Sequence, residues 1–103
     1  MPELPEVETL VRRLQPTVGT EIVGAEILDD RLDIHGDMLL GASIREVRRC
    51  GKHIVIGLGD RGDLVVHLRM SGRLRLDCCE DEVAYARMIL RLASGDSVYF
   101  INP

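Results

Sequence analysis

One apolar stripe at helical spacing, followed only by short alternating runs, limits what this chain can build. Val7, Leu10, Val11 and Leu14 fall at i, i+3, i+4 and i+7, the period of one buried helix face. The spacing predicts a helix over residues 5–14, with Arg12 and Arg13 at the C-terminal end of its dipole and Pro16 ending it. Beyond Pro16 the pattern changes. Residues 20–28 alternate weakly and predict a strand bent at Gly24. Residues 29–36 are polar and read as a loop that carries a surface histidine, His35. Asp37 is placed to cap a single helical turn through Leu40, before Gly41 breaks it. Residues 43–50 alternate, with Ile44, Val47 and Cys50 against Arg45, Glu46, Arg48 and Arg49. Residues 54–58 and 64–68 form two further apolar runs, joined by the turn Asp60-Arg61-Gly62-Asp63, a hairpin by composition. Arg73-Leu74-Arg75-Leu76 alternates strictly. Residues 85–92 and 98–101 are the last two runs, separated by Ser94-Gly95-Asp96. One helix and seven strands with short connections predict a mainly β fold: an antiparallel β-sandwich with an N-terminal helix packed against it.

The chain has 103 residues, enough for one small domain with a core. Aromatic residues are 3% and Trp is absent, while hydrophobic residues reach 46%. Val, Leu and Ile must therefore fill that core. No apolar run approaches the ~20 residues of a membrane span, and no basic-then-apolar leader precedes the helix. Three cysteines argue against a disulfide scaffold and fit a reducing cytoplasm. Cys78 and Cys79 are adjacent and lack the C-x-x-C spacing of a zinc knuckle, so no metal site is expected in the chain. Internal repeats, low-complexity tracts and interdomain linkers are absent from the sequence. The formal net charge is −4, which argues against polyanion binding until its distribution is considered. From residue 43 to 76 there are eight basic residues (Arg45, Arg48, Arg49, Lys52, Arg61, Arg69, Arg73, Arg75) and three acidic ones (Glu46, Asp60, Asp63). That middle segment could hold phosphates, or its charges could simply solvate strand faces.

The N-terminus, Met1-Pro2-Glu3-Leu4-Pro5-Glu6-Val7-Glu8, admits two readings. Pro5 near N1 and Glu6 and Glu8 in the first turn suit a plain helix start. Alternatively, Pro2 is small enough at its Cα for an aminopeptidase to remove Met1, leaving a free secondary amine. Such an amine titrates near neutral pH and can form an iminium with a carbonyl-like carbon, the covalent logic of lysine Schiff bases. Glu3 would then stand beside it to move protons.

Three ordered stretches carry a family resemblance. Pro2-Glu3-Leu4-Pro5-Glu6-Val7-Glu8-Thr9 resembles the start of bacterial formamidopyrimidine-DNA glycosylases, repair enzymes that excise oxidised purines. Gly51-Lys52-His53-Ile54-Val55 resembles that family's Gly-Lys-aromatic-aliphatic strand. His67-Leu68-Arg69-Met70-Ser71-Gly72 resembles its His-Leu-x-Met-Ser/Thr-Gly segment. The endonuclease VIII branch usually has Gly where Leu4 stands, so the glycosylase branch fits better. Tyr85-Ala86-Arg87 departs from the His-Asp-His-like strand start common in relatives, and Asn102 stands where Asp usually precedes the proline.

The resemblance implies a base-excision function: a bifunctional glycosylase/AP lyase acting on damaged double-stranded DNA as a monomer in the cytoplasm. It implies Pro2 as nucleophile on the sugar C1′, with Glu3 protonating the opening sugar and Glu6 supporting at the site. Elimination of the 3′ and then the 5′ phosphate would follow. It implies Lys52 at a phosphate near the lesion, completing a catalytic set of Pro2, Glu3, Glu6 and Lys52. It places Lys52, His67, Arg69 and Met70 on DNA, with Met70 filling the gap left by a flipped base. Read from the residues alone, Lys52 could be a solvated strand-end lysine, His67 a core histidine and Met70 core filler. Residues 1–103 would be the N-terminal catalytic β-sandwich domain. The family's helix–two-turns–helix region and zinc ribbon are expected outside it, and zinc only there. The competing expectation is a β-sandwich nucleic-acid-binding or interaction module without catalysis.

Overall fold

A computed structural model of the protein describes residues 4–29, 31–32, 34–67, 72–77 and 84–102. The predicted helix is α1, Leu4–Leu14. Val7 and Leu14 are buried and Leu10 and Val11 pack against the core. The helix tightens into a 3₁₀ turn at Gln15–Thr17 that contains Pro16, because proline lacks the N–H needed to continue the α pattern. Among the described residues seven strands follow: β1 Ile22–Ile27, β2 Glu46–Cys50, β3 His53–Gly57, β4 Asp63–His67, β5 Arg73–Leu76, β6 Ala86–Leu92 and β7 Ser97–Ile101. The bend expected at Gly24 is a register shift between Ile22 and Gly24 in the pairing of β1 with β6. The turn expected at residues 60–63 contains a short 3₁₀ segment, Gly59–Arg61.

A small helix, α2, occupies Gly36–Leu39, and its N-cap is His35 with no side-chain cap bond. Asp37, expected at the cap, lies inside the first turn instead, where its carboxylate still faces the positive end of the helix dipole. Two carbonyl groups near the end of this helix, those of Met38 and Leu40, accept hydrogen bonds from Arg61 Nη1 at 3.0 and 2.9 Å.

The strands form two antiparallel sheets, ordered β1-β6-β7-β5 and β2-β3-β4. Alternation along each strand sends one set of side chains between them. Val47, Ile54, Ile56, Leu64 and Val66 of the smaller sheet join Ile22, Leu74, Met88, Leu90, Leu92, Val98 and Phe100 of the larger one in a single core. It is aliphatic apart from Phe100, the one phenylalanine of the chain, as the composition requires. Residues 41–44 join β1 to the smaller sheet: Ile22 N–H donates to the Ala42 carbonyl and Ile44 N–H to the Thr20 carbonyl. The helix α1 contacts β2, β5 and β3. Since β2 and β5 are edges of the two sheets, α1 closes that side of the sandwich.

Candidate nucleic-acid interface

Two contacts fix the direction in which α1 lies. Gln15 Nε2 donates to the Val47 carbonyl at 2.8 Å, and Glu8 Oε1 meets Arg49 Nε at 3.3 Å. As the helix is followed back towards its N-terminus, β2 is followed forward to Cys50. The start of α1 is thus held at the end of the sandwich where β2 turns into β3. Arg49 also reaches forward, its Nη1 donating to the Gly51 carbonyl at 3.0 Å. One guanidinium therefore links the helix to the turn.

Gly51 and Lys52 make that turn. Gly51 has φ +63°, with no heavy atom within 4 Å of where a Cβ would stand. The requirement for glycine is one of backbone conformation rather than space. Lys52 is exposed beside it. The register then carries the site across the sheet, because His53 pairs directly with His67 and Cys50 with His53. Cys50, His53 and His67 form an outward row, while Ile54 and Val66 of the next register pair point into the core. The two imidazoles stack with centroids 4.6 Å apart and planes 29° from parallel.

The end of β7 comes to the same end, since His67 and Asn102 line one cavity, and the Arg73–Ile101 pair brings the start of β5 with it. A cavity of about 470 Å³ opens there, with His67, Arg87, Asn102, Asp29 and Arg31 among its lining residues and Leu64, Val66, Met88 and Phe100 in its apolar wall. At its mouth Asp29 accepts from Arg31 Nε and Nη2, both at 3.0 Å, and lies 3.9 Å from Arg87 Nε. The Arg31 side chain foremost, then its backbone N–H, hold the Asp29 carboxyl down at about 2, below the ordinary 3.8. Asp29 stays ionised between two guanidinium groups, and the cluster keeps a net positive charge.

Among the expected site residues, the structure brings Glu6, Lys52 and His67 to this one end. Glu6 is exposed in the first turn of α1 and His67 is half-buried at the end of β4. Pro2, Glu3, Arg69 and Met70 lie outside the described residues. Pro2 and Glu3 directly precede α1 in sequence, and residues 68–71 directly follow His67. Arg49, His53 and the Asp29–Arg31–Arg87 cluster were not singled out by sequence reasoning. For His53 a signal existed, its aromatic position in the Gly-Lys-aromatic stretch. For Arg49 and Arg87 there was none, since their partners Glu8 and Asp29 lie far away in sequence. Among the described residues no three His, Cys, Asp or Glu side chains converge as metal ligands.

The family model for the formamidopyrimidine-DNA glycosylase N-terminal domain matches residues 1–103. The chain belongs to this family. It is 37% identical over 110 aligned residues to a formamidopyrimidine-DNA glycosylase of Pelotomaculum thermopropionicum, covering 99% of this chain and 40% of that protein. A Solibacter usitatus relative is 44% identical over 82 residues, covering 74% of this chain and 31% of its own length. The fold superposes on the Thermus thermophilus family structure with a TM-score of 0.83 and 35% identity, covering 99% of this chain and 37% of the other. It superposes with a TM-score of 0.84 and 29% identity on the Lactococcus lactis glycosylase bound non-covalently to DNA containing an AP site, covering 98% of this chain and 41% of that one. The chain thus spans no more than about two fifths of the length of these relatives. The mainly antiparallel β architecture with its N-terminal helix is that of the family.

Proposed function

We propose that the chain is the N-terminal catalytic β-sandwich domain of a bifunctional DNA glycosylase/AP lyase for oxidised purines. The observation that carries this is the direction of α1. The Glu8–Arg49 and Gln15–Val47 contacts hold the start of α1, which Pro2 and Glu3 directly precede in sequence, beside the Gly51–Lys52 turn. A terminal nucleophile needs such a tether, because effective molarity is lost when the reacting atom wanders.

In this reading removal of Met1 frees the Pro2 nitrogen. It attacks C1′ of the damaged nucleotide, the base departs with its bonding electrons, and an iminium links protein and sugar. Glu3 donates the proton that opens the sugar ring, and Glu6 supports it from the first turn of α1. The iminium acidifies the adjacent C2′ protons, so the 3′ and then the 5′ phosphate can leave. Lys52, His67 and Arg69 hold backbone phosphates, and Met70 fills the space of the extruded nucleotide. Damaged double-stranded DNA is the partner. The family's helical and zinc-ribbon regions complete the clamp; zinc belongs to that part and has no ligand set among the described residues here.

Borohydride trapping tests the proposal. The chain without Met1 is expected to form a covalent adduct with duplex DNA carrying an abasic site, whereas a chain that retains Met1 is not, because its Pro2 nitrogen is an amide. Equal adduct from both, or none from the processed chain, would overturn the mechanism. A parallel duplex carrying 8-oxoguanine separates base excision from sugar chemistry.

A further inference from the structure

Nothing assigned so far explains what fixes the ring of His67. Among the described residues neither the His67 nor the His53 side chain makes a hydrogen bond or an ion pair; the two rings stack on each other at 4.6 Å. On its other side His67 borders the cavity of about 470 Å³, which gives the imidazole a second space to enter. Val65, two residues back on the same face, is 56% exposed, and Cys50 sits beyond His53 in the register.

We propose that His53 is a positioning residue for His67. It holds the His67 imidazole on the outer face of β4, close to the Lys52 turn, and keeps it out of the cavity. The deduction rests on three features. Directly opposed cross-strand residues bring their side chains together by backbone geometry alone. Stacking uses the ring faces, so the nitrogens at the ring edge remain available to a ligand. Finally, His53 immediately follows Lys52 in sequence, and Gly51 at φ +63° sets the turn that carries both. A single backbone turn thereby presents one ammonium group directly and one imidazole through its neighbour. The ligand this arrangement suits is a phosphodiester, which would accept hydrogen bonds from both groups. Any flat ring at position 53 could do the positioning, whereas an aliphatic side chain could not.

The inference rests on the DNA-binding reading above, and its test separates the two. Binding to a labelled duplex containing a tetrahydrofuran abasic analogue is measured for the full chain and for His53→Ala, His53→Phe, His67→Ala and the double variant. Loss of an aromatic pair predicts that His53→Ala weakens binding about fivefold, with His53→Phe restoring it to within about twofold of the parent. In the His67→Ala background the further His53→Ala change is expected to alter binding by less than about 1.5-fold, because coupled residues are not additive. An undiminished effect in that background, no effect of His53→Ala alone, or no rescue by Phe would overturn the positioning role. His53 is exposed, so these variants retain the fold. If the parent chain does not bind the duplex, the DNA-binding reading fails, and side-chain NMR decides the positioning claim independently. There, His53→Ala is expected to turn His67 from one χ1 rotamer into an averaged set; a single unchanged rotamer would refute it.

Discussion

Lys52 illustrates how one residue acquires a direction. Gly51 adopts a left-handed φ of +63°, β2 and β3 close around the turn, and the lysine is carried at its exposed tip. A phosphate contact by such a lysine adds affinity without sequence information. Lys52→Ala is therefore expected to weaken duplex binding about equally for damaged and undamaged DNA and to reduce the salt slope, log K against log salt, by about 0.9. Fluorescence anisotropy over a salt series measures both. Asp29 gives a prediction of a different kind. Its folded carboxyl lies at about 2 against an ordinary 3.8, chiefly through Arg31. A depressed folded pKa contributes stability that is fully present above the unfolded value. That contribution is lost as pH falls from about 3.8 through about 2. In a carboxyl-detected NMR titration the Asp29 midpoint is expected at about 2, and Arg31→Ala should move it up towards 3.8. The unfolding difference between the parent and Asp29→Asn should shrink over the same interval.

At the scale of elements, α1 has two separable duties. Its buried stripe seals the side of the sandwich, and Leu14 is only 2% exposed. Leu14→Ala should destabilise the chain by roughly 2–5 kcal/mol in urea unfolding, the range for buried leucine truncation. The Glu8–Arg49 pair has the opposite profile. Its side chains are 54% and 34% exposed, so Arg49→Ala should cost under about 1 kcal/mol of stability. Its effect belongs in the trapping assay, where a helix start freed from the turn should lower the rate of adduct formation severalfold with thermal unfolding almost unchanged. The stripe was legible in the sequence because helical period is a local property. The tether was not, because Arg49 reads in sequence as one more exposed residue of an alternating strand. Only the meeting of α1 with β2, which puts Arg49 against Glu8 from far back in the sequence, gives it a partner. The cap of α2 was misread for a related reason. Asp37 has the right chemistry for a cap, but the chain turns helical one residue before it, at Gly36.

For the whole molecule, the number of strands was legible because turn residues bound every run, and the core could be anticipated because aliphatics alone were available to fill it. The order β1-β6-β7-β5 was not, since β1 finds its partner across most of the chain and no local pattern records that choice. The placement of charge follows from the order. Of the basic residues in the middle segment, Arg48 is held by Glu46 at 2.9 Å, Arg49 by Glu8, and Arg61 by the carbonyls near α2. The positive segment seen in sequence is thus dispersed over several faces, and only part of it reaches the Lys52–His67 end. This yields a quantitative expectation for DNA binding by the 103-residue chain. If Lys52 and Arg69 are the cationic phosphate contacts, each releases about 0.9 counterion and the salt slope should be about −2. Affinity at physiological salt should lie in the nonspecific range of about 10⁻⁴ to 10⁻⁶ M. Anisotropy titrations from low to moderate salt test this. A slope steeper than about −5 would mean that arginines on the outer sheet faces also take phosphates. In that case the DNA-binding surface would not be confined to the end of the sandwich where α1 begins.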